Sequence, residues 1–318
     1  LWGSAGLGST LKKAKFVAYT DGTFSTKVEI PADEIHLGLL GPLIRASPGD
    51  QIEVVLKNNV TIDLLLDPQG LIPVNLNDAA SPLGEVAKPG ETITYTWDVP
   101  AEAAPGPGDP DTKLYLYRSV VYSEASDNAG LIGPILVSRQ DAPAKPDQGR
   151  DIITIMQIQN ENVSPYYDVN LGNKTYESLG LESEYALEES LLKHVINGYV
   201  FCNAPGLNMT QNEKVRWHSA AMGSEGDIHN SHWHGSTFLH NGNRGDQVKM
   251  FPGTTLSLDF TPREPGTWLL HCHVNDHIHA GMMALYNVAP DAEAVKEAAS
   301  TNGTVRKYFI AVDEVDWK

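Results

Sequence analysis

Along most of the chain, apolar and polar residues alternate in short runs rich in Val, Ile, Thr and Tyr, and Gly, Pro and Asn separate the runs. Residues 51–56 (QIEVVL), 91–99 (ETITYTWDV), 151–158 (DIITIMQI) and 255–260 (TLSLDF) are the clearest examples. Side chains of a strand point alternately to its two faces, so this period predicts strands with one buried face. Many short strands between turns predict an all-β chain of sandwiches. One segment breaks the pattern. Residues 182–193 (ESEYALEESLLK) set Leu187, Leu191 and Leu192 at helical spacing and predict a helix.

The pattern also repeats. Pro89-Gly90-Glu91-Thr92-Ile93 is echoed by Pro252-Gly253-Thr254-Thr255-Leu256, each opening an alternating run. Ala129-Gly130-Leu131 is echoed by Ala280-Gly281-Met282, each entering a closing run. The two copies differ in length by a Pro/Gly-rich insertion at residues 101–112 (AEAAPGPGDPDT). Two sandwiches of common ancestry follow, joined by the polar residues 141–149. The expected division is 1–145, 146–303 and a remainder, 304–318. In that remainder, residues 305–317 (VRKYFIAVDEVDW) read as the opening strand of a further or swapped domain.

A length of 318 residues suits two such units. With 23 Lys and Arg against 40 Asp and Glu, the formal charge is −17, which excludes nucleic acid or an anionic membrane held through a general positive field. Two cysteines, Cys202 and Cys272, allow at most one disulfide, and Cys202 is expected to be a buried free thiol. Sequons at Asn59, Asn162, Asn173, Asn208 and Asn302 predict a glycoprotein in an extracellular or luminal setting. Neither an initiator Met nor a signal peptide opens the sequence, which predicts a processed or excised piece of a longer chain.

The chemistry lies in the histidines. Of eleven, only His36 falls in the first half; the other ten fall between His194 and His279. Two clusters stand out: His229, His232 and His234, then His271-Cys272-His273 followed by His277, His279 and Met282. On a strand, His271 and His273 share one face and Cys272 takes the other; His232 and His234 project together by the same rule. Brought together across a sandwich, the two His-x-His pairs present four imidazoles on one surface. On the inner face Cys272 can meet His229, His277 and Met282. Two imidazoles, a thiolate and a weak axial thioether form the ligand set of a blue copper site, whose mixed softness suits both copper oxidation states.

At these motifs the sequence resembles the multicopper oxidases, and among them the ceruloplasmin and hephaestin ferroxidases. Tyr19-Thr20-Asp21-Gly22-Thr23-Phe24, Leu37-Gly38-Leu39-Leu40-Gly41-Pro42, Gly130-Leu131-Ile132-Gly133-Pro134 and residues 268–282 (WLLHCHVNDHIHAGM) carry the resemblance. It implies cupredoxin-like Greek-key folds in both halves and a type 1 copper at His229, Cys272, His277 and Met282. It places His232, His234, His271 and His273 at half of a trinuclear copper cluster that reduces dioxygen to water. Electrons would pass through His271, Cys272 and His273, which makes these three the catalytic set. Glu189, His194 and Asp276 stand where the family holds Fe(II). Another cupredoxin domain would supply the remaining cluster histidines, and an iron permease is a candidate partner.

The first half departs from that family pattern. Where His-x-His pairs would stand it reads Asp67-Pro68-Gln69 and Arg118-Ser119-Val120, and it has no Cys. It is therefore expected to be copper-free, and the chain is expected to depend on a further domain for oxygen reduction. Two other readings stay open. One is a laccase-like oxidase of phenols or Cu(I), and the other is a non-catalytic structural module. A two-domain nitrite reductase fits less well, since its catalytic copper needs first-domain histidines that this sequence lacks. His218, His240 and His279 are expected to be surface or structural.

Overall fold

The structure, a computed structural model, describes residues 7–8, 10–74, 81–139, 149–223, 228–240, 242–291 and 304–314. It is built almost wholly of short strands. The first half contains β1 (Ile44–Ala46), β2 (Gln51–Lys57), β3 (Leu66–Pro68), β4 (Ile72–Val74), β5 (Thr92–Asp98), β6 (Thr112–Ser119) and β7 (Ile132–Ser138). They form two sheets, in the orders β1-β7-β6-β3 and β2-β5-β4. The second half contains β8 (Arg150–Asn160), β9 (Leu192–Ile196), β10 (Asn208–Thr210), β11 (Val215–Met222), β12 (His229–Trp233) and β13 (Phe238–His240). It continues with β14 (Asn243–Gly245), β15 (Gln247–Met250), β16 (Thr255–Phe260), β17 (Gly266–Cys272) and β18 (Met283–Ala289). Its sheets run β10-β18-β17-β12-β15 and β14-β13-β16-β11-β8-β9. Among the described residues, the α-helices α1 (Ser123–Ala129), α2 (Tyr167–Leu171), α3 (Glu184–Ser190) and α4 (Asn275–His279) lie in the connections.

Each half closes over its own core. Trp97, Tyr95, Tyr117, Leu64, Leu66 and Leu131 fill the first. Trp217, Trp233, Phe260, Tyr286, Met156 and Cys272 fill the second. Trp217 meets Trp233 and Tyr286 edge-on, with ring centroids 5.6 and 5.8 Å apart. Such contacts contribute about 0.5–1.5 kcal/mol each beyond burial. A third apolar cluster joins the halves, with Leu114, Leu116, Ile132 and Leu136 packed against Ile153, Ile155, Ala220 and Met222.

Polar groups fix how the halves meet. Asn197 donates to the carbonyls of His36 (2.7 Å) and Ile153 (2.8 Å), and its amide oxygen accepts from Ile155 N–H (2.7 Å). His36 Nε2 accepts from Ile153 N–H at 3.0 Å. Asp151 takes Arg45 of the first half at 2.7 Å and Arg216 of the second at 2.8 Å. Burial alone would raise the Asp151 carboxyl, but bonding to His218, the charge of Arg216 and a hydrogen bond from Arg45 hold it well below the usual carboxylate range.

Two expectations need correction. The helix over 182–193 spans only Glu184–Ser190, because Leu192 and Lys193 already pair with Asn160 and Gln159 in the sheet. Cys202 is free but half-buried rather than buried, and its φ of 64° places it in a left-handed turn. Residues 304–314 join no strand in the described structure and stand exposed, while 315–318 lie outside the described residues. The linker at 140–148, where the expected boundary at 145/146 falls, and Asn302 also lie outside them.

Candidate metal centre

The antiparallel ladder between β12 and β17 builds the site. It pairs Ser231 with Cys272 and His232 with His271. Directly opposed residues share a face, so the Cys272 row points into the core and the His232–His271 row points away. After β17 the chain turns through α4 and re-enters at β18, which returns His277 and Met282 beneath Cys272. Backbone bonds clamp this loop: Cys272 N–H donates to Met282 O (3.0 Å), and Met282 N–H to His277 O (2.9 Å). Gly281 sits at φ 106°, and a Cβ there would meet the Phe201 ring at 2.8 Å, so only glycine fits.

On the inner face, Cys272 Sγ lies 3.3 Å from His277 Nδ1 and 3.9 Å from His229 Nδ1. The donor atoms of these three residues all fall within 4.8 Å of one another. Cys272 and Met282 are 0% exposed, and His229 and His277 are 1% exposed. A thiol and two imidazole nitrogens meet in an apolar pocket, with Met282 buried in the same core cluster and Asn230 N–H donating to the sulfur at 3.4 Å. This donor set fits copper in both oxidation states. Met283, beside Met282, is half-buried in β18 and pairs with His271.

The first half repeats the scaffold without the donors. Ser119 N–H donates to Leu131 O and Leu131 N–H to Ser126 O, with Gly130 at φ 106°. In this arrangement Leu64, Ser119, Ser126 and Leu131 occupy the places of His229, Cys272, His277 and Met282. Likewise Leu66 pairs with Ser119 and Asp67 with Arg118, where Ser231–Cys272 and His232–His271 stand in the second half. Arg118 is held by Asp127 at 2.8 Å.

On the outer face, His271 Nε2 lies 3.1 Å from His232 Nδ1 and 3.0 Å from His234 Nε2. His271 Nδ1 faces the Cys272 carbonyl at 2.9 Å, so the proton belongs on Nδ1 and the Nε2 lone pair turns towards its neighbours. His232, His234 and His271 converge as a second donor group. His273 stands beside it, its ring 5.2 Å from His232 and 5.4 Å from His271. Burial first, and then the neighbouring imidazoles, push the pKa of His232 and His271 down, which favours the neutral, metal-binding form. The β12 strand ends at Trp233, so His234 reaches this face from the following turn, where Tyr286 Oη donates to its carbonyl.

Glu189, His194 and Asp276 are less tightly gathered. The His194 ring lies 5.2 Å from that of His277, and Glu189 and Asp276 are both exposed. Among the described residues these three do not form a donor group as close as the other two. His218 is structural, buried between Asp151, Ser257 and Thr112. Two contributors escape sequence reasoning. Asp246 reaches His232 Nε2 at 3.6 Å from a neighbouring segment, and Asn230 acts through its backbone. Neither side-chain type nor spacing signals them.

Residues 168–292 match the family described as multicopper oxidase. Human hephaestin is 38% identical over 89% of this chain, mouse Ferroxidase HEPHL1 37% over 89%, and human ceruloplasmin 37% over 89%. The chain spans only 25–26% of the length of these relatives. A solved multicopper oxidase aligns with TM-score 0.55 at 20% identity, covering 78% of each chain. A copper nitrite reductase from Nitrosomonas europaea aligns with TM-score 0.55 at 20% identity, covering 80% of this chain and 84% of its own. These structural likenesses establish the tandem cupredoxin-like fold.

Proposed function

The chain belongs to the multicopper oxidase family, akin in sequence to hephaestin, Ferroxidase HEPHL1 and ceruloplasmin, and on that premise we propose that it is the copper-bearing part of a multidomain ferroxidase. In this reading residues 1–145 form a copper-free domain, and residues 146–303 carry a type 1 copper and half of a trinuclear cluster. The setting is extracellular or luminal. Among the described residues no helix is long and apolar enough to cross a membrane.

His229, Cys272, His277 and Met282 hold the type 1 copper; His232, His234, His271 and His273 face the cluster. Copper in these places supplies one-electron acceptance on the inner side and dioxygen reduction on the outer side. The chain's own part is connection and enclosure. The peptide from His271 to His273 joins the inner thiol to the outer imidazoles, and the apolar packing around Cys272 and Met282 keeps water from the sulfur. His194, stacked near His277, and the exposed carboxylates of Glu189 and Asp276 bind and orient Fe(II) as substrate.

One observation carries this reading: the fully buried convergence of Cys272 with His229 and His277. Copper-loaded protein is expected to be blue, with intense thiolate-to-copper absorption at roughly 600 nm. Cys272→Ser is expected to lose that band while keeping its circular dichroism spectrum. A colourless wild type, or a blue Ser variant, overturns the assignment.

A further inference from the structure

A cavity of about 340 Å³ lies on the seam between the two halves. The first half brings Lys13, Lys15 and Gly38 to it, and the second brings Glu161 and, from β9, Lys193 and Val195. Hydrogen bonds fix both walls. Ala14 N–H donates to Ala129 O at 2.9 Å, which sets the backbone between the two lysines of the first half. Lys13 Nζ donates to Asn128 O and to the Glu161 carboxylate, Lys15 Nζ to Gly38 O, and Lys193 Nζ to Ser190 O.

The charge of this cavity runs against that of the chain. The whole sequence carries −17, yet the charged residues lining the cavity are three lysines against one glutamate. Little water reaches the inner ones, with Lys193 7% exposed and Glu161 1%. Burial pushes the pKa of Lys13, Lys15 and Lys193 down and that of Glu161 up. Lys13 adds to the lowering at Lys193, while Glu161 pulls both of these lysines the other way. Cations crowded together with so little water favour a further anion beside them.

The polar atoms narrow its chemistry. An ammonium has three donors, and among the described residues Lys13 commits two of them and Lys15 one. Glu161 gives Oε1 to Lys13, and its Oε2 is buried with no hydrogen-bond partner among the described residues. A buried acceptor left open is costly, so it calls for a donor. A ligand that satisfies both sides has negative oxygens for the lysines and one O–H for the carboxylate. Hydrogen phosphate and bicarbonate have that form near neutral pH. Sulfate has no proton to give.

We propose that this cavity binds a small oxyanion that retains a proton, hydrogen phosphate or bicarbonate, with its oxygens accepting from Lys13, Lys15 and Lys193 and its hydroxyl donating to Glu161 Oε2. The site needs no metal and does not depend on the oxidase reading, since no residue of the two histidine donor groups lines it. It lies behind the candidate iron residues. Alternation along β9 gives Lys193 and Val195 to the cavity and His194 to the other face, where its ring approaches His277.

The test is isothermal titration calorimetry of the purified full chain with inorganic phosphate, bicarbonate and sulfate near neutral pH. One phosphate or bicarbonate per chain is expected, the two competing for a single site, with sulfate weaker by roughly tenfold or more. The tighter of the two is the occupant that the cavity suits. Lys15→Gln and Lys193→Gln should each weaken binding by roughly tenfold or more, with an unchanged circular dichroism spectrum. Lys15 is half-buried and bonds a backbone carbonyl, so its variant tests the site even where Lys193→Gln fails to fold. Glu161→Gln should bring sulfate level with phosphate. A chain that takes up neither phosphate nor bicarbonate at millimolar concentration overturns the proposal. Sulfate binding as tightly as phosphate in the wild type, or binding that Lys15→Gln leaves unchanged, overturns it equally.

Discussion

At the scale of single residues, the chemistry was legible because it is local. The run His271-Cys272-His273, with His277 and Met282 close behind, puts two coordination environments on opposite faces of one strand. The observed register, Cys272 inward opposite Ser231 and His271 outward opposite His232, follows from that alternation. Asp246 and the Asn230 amide were not legible, because their roles depend on which segment lies beside β12. The iron residues lie between these cases, since Glu189, His194 and Asp276 come from a helix, a strand and a second helix. If they hold Fe(II), Asp276→Ala and Glu189→Ala should each raise KM for Fe(II) on the order of tenfold, as for about 1.4 kcal/mol of lost binding. Oxidation of an organic substrate by the complete oxidase should change little. Equal loss with both substrates would make the two carboxylates supports of the copper site instead.

At the scale of elements, strand positions were legible to within a residue or two, because alternation and Gly/Pro turns act within a few residues. The helix over 182–193 was overextended because Leu191 and Leu192 also suit a strand, and pairing with β8 claims Leu192 onward. Such tertiary pairing outweighs local helix preference. The contact between the halves was not legible either, and His36 shows why. Its Nε2 is committed to Ile153 N–H, more than a hundred residues away. Burial, and then the charge of Arg150, push its pKa from 6.5 down to about 4. The unfolded chain takes up this proton below pH 6.5, whereas the folded chain resists until about pH 4. Stability present above pH 6.5 is therefore lost as the pH falls through that window, by about 3 kcal/mol in all. His36→Gln, which keeps an acceptor for Ile153, should melt with a flatter pH dependence between those limits. Comparing the two proteins cancels the opposing contribution of Asp127, whose carboxyl burial raises to about 6. Parallel pH profiles would show that His36 does not titrate as its surroundings dictate.

At the scale of the whole molecule, the repeat was legible in the Pro-Gly and Ala-Gly echoes, but its asymmetry was only partly so. The missing histidines of the first half can be read directly. That Leu64, Ser119, Ser126 and Leu131 stand at the matching positions of the first half emerges only from the shared bonding pattern. Asp67 and Arg118, at the register of His232 and His271, likewise offer no imidazole to a second cluster. A homo-oligomer of this chain therefore brings no further cluster histidines, however its copies join. The most direct test of the account is to count copper by mass spectrometry on the reconstituted chain while recording its visible spectrum and oxygen uptake. The account predicts a single blue type 1 copper per chain and no sustained reduction of oxygen to water. Four coppers per chain with full oxygen turnover, in a monomer or a homo-oligomer, would contradict it.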